Sequence, residues 1–311
     1  MRIIKQKSHT QSAQTIRCPD NCYFNKVEIT KNIDNNFFDS INFQQNVFNY
    51  NNAIKSNKLY SILQYNFNNY EKFREPLEID PDCEYIYVTD NPNIKSNIWK
   101  VIIDPTLNKY TGFEKCYMVR YNLFKYCTTP VCIYMDSNIQ ILKSIRWLYD
   151  SFISSGADIG VNIHPFRNNI IDEYYAWIEK YQKYEPSRVE SMKEEMQNVI
   201  KYMLDDFYNF DYKGLYQGTM RICKNTELNR NIDMTVLKAT YKIAEKKFPR
   251  VTQTIFSYIL NKYFNSIKVY PFLSDIFFSD SLYRYEHNSD MKSEKWTTNI
   301  DTYLFNRLIK L

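Results

Sequence analysis

Val131-Cys-Ile-Tyr-Met-Asp136-Ser-Asn138-Ile-Gln140 is a short apolar run that ends abruptly in a carboxylate and then an amide. A run of β-branched and aromatic residues bounded by a polar break reads as a strand buried on both faces. Such a strand carries Asp136 to the edge of a sheet, and the edge at the carboxyl ends of the strands is where open α/β sheets bind ligands. Beyond it, Ile141, Ile145, Leu148, Tyr149 and Phe152 follow i, i+4, i+7, i+8 spacing. That pattern predicts a helix from just after Asn138 to Gly156, a suitable C′ residue.

Working outward, strands are predicted at 59–65, 85–89 and 98–103, the last two stopped by Asp90-Asn-Pro92 and Asp104-Pro105. A helix over 114–127 leads into the Val131 strand, and another strand at 159–163 ends in His164-Pro165. Ser187-Arg-Val-Glu190 has the form of a capping box. It would start a helix to about Tyr208, with Met192, Met196, Val199, Met203 and Phe207 on one face. Residues 215–223 alternate like a strand. Helices near 233–247 and 251–263, a strand at 267–270 and a last amphipathic helix follow. Alternating strands and helices predict an α/β fold with a mostly parallel, helix-flanked sheet. Residues 1–55, rich in Asn and Gln, read as an N-terminal extension or small appended subdomain. The body is expected at 56–280, with a C-terminal tail carrying a helix at 281–311.

The chain's 311 residues leave room for one large α/β domain or two small ones. Its net charge of +5 is spread without runs of like charge, so no nucleic-acid partner is expected. The N-terminus turns polar too soon for a signal-peptide core. No apolar run reaches the ~20 residues that span a bilayer, and a soluble, cytoplasmic protein without a transmembrane segment is expected. Seven irregularly spaced cysteines fit a reducing compartment. Cys18 and Cys22 are the only tight pair, and free thiols rather than a zinc site are expected.

Several polar positions cluster at predicted strand ends. Asp136 with Asn138 could hold Mn²⁺ or Mg²⁺ against a pyrophosphate, although Asn138 offers only a neutral oxygen; Asp136 could equally cap the next helix. Arg120 and Lys125 would offset diphosphate charge, yet lie about 140° apart on one helix and could equally be solvated helix charges. His164 and Arg167 sit beside Asp172 and Glu173, either of which could take a proton from an acceptor hydroxyl or serve the first turn of a helix near Tyr174. Asp90 could contact a base or ribose, or form an Asx turn. Gln253 follows Thr252 at a helix start, where anions and polar ligands are favoured.

In order and spacing these segments resemble a glycosyltransferase family of GT-A type, known as DUF616, which includes plant enzymes of pectic and related glycan synthesis. The resemblance runs over roughly 58–272: Asn69-Tyr70-Glu71, Tyr87-Val-Thr89-Asp90-Asn91, Trp99-Lys-Val101, Arg120 with Lys125, and Ile133 to Asn138. His164-Pro-Phe-Arg167 with Asp172-Glu173, Gly214 to Arg221 and Arg250-Val-Thr252-Gln253 complete it. It implies a GT-A-like fold with a Rossmann-like nucleotide-binding half, and sugar transfer from a nucleotide-diphosphate sugar to a glycan or other hydroxyl acceptor. By position it implies a donor and metal site at Asp136 and Asn138, Arg120 and Lys125 on the diphosphate, and His164 to Arg167 bordering the sugars. Two positions depart from the family pattern. Asn138 replaces an acid or a base, and Thr252 replaces an Asp before Gln253. A non-catalytic glycan-binding or assembly protein on the same fold is the alternative.

Overall fold

The computed structural model describes residues 56–210, 214–243, 252–277 and 279–285. The expected N-terminal extension, the final helix, Cys18, Cys22 and Arg250 lie outside them. The elements run β1 (Tyr60–Asn66), β2 (Cys83–Thr89), β3 (Lys100–Ile102), α1 (Gly112–Arg120), β4 (Val131–Met135), β5 (Ile139–Ile141) and α2 (Arg146–Ser155). They continue with β6 (Ile159–Ile163), α3 (Ile170–Tyr184), α4 (Val189–Asp205), β7 (Tyr216–Lys224), α5 (Glu227–Ile243), α6 (Thr252–Tyr263), β8 (Val269–Phe272) and β9 (Leu282–Arg284). Seven strands form one sheet in the order β3-β2-β1-β4-β7-β6-β8. β7 runs antiparallel to both of its neighbours, and the other pairings are parallel. The fold is therefore α/β with a mostly parallel sheet, compatible with a Rossmann-like arrangement. None of the described helices is long and apolar enough to cross a membrane.

Period-two alternation divides the strand side chains between two cores. Leu63, Tyr65, Ile86, Val88, Cys132 and Tyr134 face one side, under α1, α3, α4, α5 and α6. Tyr60, Ile62, Tyr85, Tyr87, Ile133 and Met135 face the other, under α2 and the small β5–β9 sheet. Every residue of β1 is buried, including Ser61, Gln64 and Asn66. Each of these three has a partner: Ser61 with Thr129 at 2.7 Å, Gln64 with the carbonyl of Ile139 at 2.7 Å, and Asn66 with the amide of Glu71 at 3.0 Å. These bonds satisfy polar groups that burial would otherwise penalise, and they tie β1 to the loops above the carboxyl edge.

Four local expectations are corrected. The helix after Asn138 starts only at Arg146, because residues 139–141 pair with β9 instead. For the same reason the body extends past 280, with Leu282 fully buried. The predicted 114–127 helix ends at Arg120, and Lys125 falls in a separate 3₁₀ turn, Leu123–Lys125. Ser187 does not cap α4. Pro186 sets up a 3₁₀ turn that contains Ser187, and the α4 cap, Arg188, makes no side-chain cap bond. The capping box that does form is Thr111 with Glu114, at the start of α1.

Beneath the carboxyl edge Arg221 of β7 pairs with Asp233 of α5 at 2.6 Å, with side chains 5% and 2% exposed. The same guanidinium donates to the carbonyl of Arg120 at 2.8 Å, satisfying an orphan acceptor at the C-terminus of α1. Asp233→Ala would strand a buried charge, so urea unfolding is expected to show a loss of about 3–5 kcal/mol. Arg221→Met with Asp233→Leu together should recover most of it. A single-mutant loss well under about 1 kcal/mol would show that the pair is not supporting the α1 terminus.

Candidate functional site

From β1 the chain moves outward through β2 to β3, then returns to place β4 on the other side of β1. Open α/β sheets bind ligands at such a reversal, which here falls at the carboxyl ends of β1 and β4. Asp136 stands there, the residue after β4, its amide bonded to the Thr219 carbonyl at 2.9 Å. Gln64 of β1 donates to the carbonyls of Asp136 and Ile139 at 3.3 and 2.7 Å, which fixes the turn into β5.

The Asp136 carboxylate is 20% exposed and pairs with Arg120 Nη2 at 2.9 Å. The Tyr134 hydroxyl donates to the same oxygen, Oδ1; two residues apart on a strand, Tyr134 and Asp136 project to one side. Arg120 also donates to the hydroxyls of Tyr134, Tyr65 and Thr252 at 3.0, 2.8 and 3.3 Å. Burial pushes both tyrosine phenols up, so they remain protonated donors. Gly218 of β7 leaves room for this: a Cβ there would lie 3.1 Å from Arg120 Nη1. Oδ2 of Asp136 keeps no hydrogen-bond partner among the described residues.

Past Thr252, Gln253 donates to Glu173, which also accepts from Arg167 and, at 2.5 Å, from Trp177 Nε1. The structure thus joins Glu173, Arg167 and Gln253 in one cluster, but it does not place Glu173 as a base. Its side chain is 0% exposed and surrounded by three donors, out of reach of an acceptor hydroxyl. The structure does not poise His164 for proton transfer near pH 7 either. Burial, with Arg167 adding, pulls it down to about 3, and its Nδ1 accepts from the Phe166 amide at 3.2 Å. It is neutral near pH 7, with its proton on Nε2. Asp172 accepts from the Asn168 amide at 3.0 Å in the first turn of α3, the helix-start role open to it from sequence. Asn169, not Asp172, caps that helix.

Two cations with no mark in the sequence stand near the cluster. Lys180 of α3 lies over Trp177, 4.4 Å from the ring centre, and within electrostatic reach of Arg167, Glu173, Glu185 and Arg284. Arg284 of β9 is within reach of Asp136 and Glu71, and makes no ion pair with a described residue. Asn138 holds that strand in place: its Nδ2 donates to the Tyr285 carbonyl at 2.8 Å, and its own carbonyl accepts the Tyr285 amide at 2.8 Å. By direct contact Arg120 bridges Asp136 and Thr252, and Glu173 joins the next residue, Gln253, to Arg167; Lys180 and Arg284 lie within electrostatic reach of the two ends of this cluster. Four of these eight residues are cations and two are carboxylates, and Glu185 and Glu71 lie within electrostatic reach of Lys180 and Arg284.

Beside the cluster is a cleft of about 210 Å³ lined by Phe67, Thr89, Asp90, Pro92, Asp104 and Lys115, among others. It is smaller than the roughly 300 Å³ at which complete small-molecule pockets begin, and Asp136 does not line it. Asp90 is held by Lys115 at 2.9 Å and by the Asn68 amide at 2.9 Å. Stacked rings of Phe67, Tyr65 and Tyr134, 5.8 and 5.6 Å apart, connect this cleft to Arg120. Lys125 does not belong to either place. It is paired with Asp104 at 2.5 Å and bonded to Thr106 at 2.7 Å, because the chain turns at Tyr121 and carries it away from Arg120.

A divalent ion prefers six or more hard oxygens, several of them anionic. Here Asp136 Oδ1 is taken by Arg120 and Tyr134, while Asn138 Oδ1 is neutral and buried without a partner. Arg284 is a further cation nearby, and no group of three or more His, Cys, Asp or Glu suited to a metal occurs among the described residues. This donor set does not fit a resident Mn²⁺ or Mg²⁺.

No protein-family model matches the chain, and comparison with curated proteins finds no significant match.

Lys180 carries a pH signature of its own. Burial, with Arg167 and then Arg284 adding, draws Lys180 down to about 8, while Glu173 and Glu185 hold it up. The lysine is charged below that value and neutral above it. Anion binding followed by calorimetry should therefore weaken as pH rises through about 8. Lys180→Met should remove that step, and an unchanged profile in the variant would take Lys180 out of the site.

Proposed function

We propose that the protein is a glycosyltransferase of GT-A-like fold. In this reading it transfers a sugar from a nucleotide-diphosphate sugar to a glycan or other hydroxyl acceptor. The observation that carries this reading is the cluster of cations, Arg120 and Arg167 among them, beside Asp136 at the switch point of a Rossmann-like half-sheet. It fits the two ionised phosphates of such a donor, and the neighbouring cleft at Asp90 is of a size for the base or ribose.

In the reaction the acceptor oxygen bonds to the anomeric carbon while the bond from that carbon to the β-phosphate oxygen breaks. The electron pair leaves with the nucleoside diphosphate, whose developing charge Arg120 and its neighbouring cations stabilise. The acceptor's proton goes to Asp136 Oδ2, the cluster's carboxylate oxygen without a protein partner. Glu173 orients Arg167 and Gln253 rather than taking part in proton transfer.

The alternative reading, a glycan-binding or assembly protein without transfer, draws on one specific feature. With Glu173 sealed and a threonine at position 252, Asp136 is the cluster's single open carboxylate.

A panel of UDP- and GDP-sugars, read by calorimetry and by nucleotide release, tests both readings. Arg120→Met should weaken donor binding by about tenfold to a hundredfold, the value of a charge-assisted hydrogen bond. Asp136→Asn should bind the donor near normally and lose about a hundredfold or more in transfer. Nucleotide-sugar binding with no transfer by the wild-type protein to any hydroxyl acceptor favours the non-catalytic reading; no nucleotide-sugar binding at all overturns the transferase.

A further inference from the structure

We propose that Cys127 and Cys132 are a modification site: under oxidising conditions they close to a disulfide that ties the turn before β4 to β4 itself. This site is independent of the nucleotide-sugar reading.

Three observations support it. First, the two sulfurs are already in contact. Cys127 Sγ and Cys132 Sγ lie 2.8 Å apart, with either able to donate to the other. A disulfide holds its sulfurs about 2.05 Å apart, so bonding asks for less than about 1 Å of further approach. Second, the backbone on each side is fixed in the arrangement that brings them together. The Cys127 amide donates to the Leu123 carbonyl at 3.0 Å, and the Pro130 carbonyl accepts from the Asn225 amide at 2.7 Å. Between them Thr129 bonds to Ser61 Oγ and to the Val131 carbonyl, each at 2.7 Å. Cys132 is the second residue of β4, paired in register with Ser61 of β1 and Cys223 of β7. A bridge between groups the fold already holds in contact keeps its stabilising effect, because it does not distort the native backbone. Third, both side chains are fully buried. Burial pushes the Cys132 thiol up, and a protonated, enclosed thiol is a poor nucleophile. The bond therefore forms as the chain folds, and once enclosed it is shielded from reductants.

The co-reactant is a low-molecular-weight disulfide such as oxidised glutathione. The thiolate of one cysteine attacks a glutathione sulfur, which makes a mixed disulfide and releases one glutathione. The second cysteine, as its thiolate, attacks the protein sulfur of that mixed disulfide and releases the other glutathione. Two electrons pass from the pair to the oxidant, and the two thiol protons end on the released glutathiones. In a reducing compartment the pair stays as thiols.

The test unfolds the full-length chain in urea and refolds it with oxidised glutathione or with dithiothreitol, followed by alkylation, tryptic mapping and thermal unfolding. Both cysteines fall in one tryptic peptide, 126–143, and Cys223 falls in another, 222–224. In the oxidised sample, peptide 126–143 is expected to be lighter by two hydrogen atoms and closed to alkylation in most chains. Its Tm should exceed that of the dithiothreitol sample by several degrees, as a bridge closing a short loop implies. Cys127→Ala and Cys132→Ala should each abolish that difference between oxidised and reduced samples, whatever their own stability. If the wild type refolds in oxidised glutathione with both cysteines of peptide 126–143 alkylated, or with Cys132 linked to peptide 222–224, the assignment is wrong. An internal bridge that lowers Tm overturns the claim that the native geometry accommodates it. An equal rise in Tm in Cys127→Ala assigns the effect to another pair and overturns the proposal as well.

Discussion

Asp136 is held at the end of a strand buried on both faces by meeting Arg120. A carboxylate moved out of water toward a protein interior loses hydration worth several kcal/mol, and an opposing guanidinium at hydrogen-bond distance offsets that loss. The contact at 2.9 Å sets where α1 must end, since its last residue has to reach the carboxyl edge of β4. It also sets what lies under α1. Arg221 braces the Arg120 carbonyl, Asp233 balances Arg221, and Gly218 supplies room where a side chain would press on the guanidinium. Tyr65 and Tyr134 stack beside it and bond to it through their hydroxyls.

From that contact the polar edge of the sheet extends in two directions. Toward α6 and α3 it becomes a sealed network in which Glu173 accepts from Arg167, Trp177 and Gln253. Full burial makes this carboxylate an anchor, because a proton acceptor must be reachable. Toward β9 lies Arg284, within electrostatic reach of Asp136 and Glu71 and in no ion pair with a described residue. One side is a closed set of side-chain hydrogen bonds, and the other is joined to the sheet through the backbone of Tyr285.

The parts of the structure readable from sequence are those governed by local pattern. The strand through Val131–Met135 and its delivery of Asp136 followed from an apolar run ended by a polar break, and β1, β2, β6 and α6 followed from the same kind of periodicity. Where local pattern misled, a longer-range bond had intervened. Residues 139–141 continue a helical-looking stripe, yet they pair with residues 282–284, because burying Ile139 and Ile141 against a second strand satisfies both side chains and backbone. Ser187 has the spacing of a cap but sits inside a turn set by Pro186. Lys125 looked like Arg120's companion on one helix, but that helix ends at Arg120, and Asp104 takes the lysine.

What the sequence determined by itself is the alternation of strands and helices, the acid at the end of β4, and most of the polar positions that gather at the carboxyl edge. Hydrophobic period and strand-end polarity are properties of neighbouring residues, so they can be read along the chain. Only the tertiary structure decided which of those groups are open and which are sealed, and that Lys180 and Arg284 join them. Burial and charge pairing depend on residues brought together across the fold, as when a pairing some 145 positions apart brings β9 against β5, and no local pattern encodes that meeting.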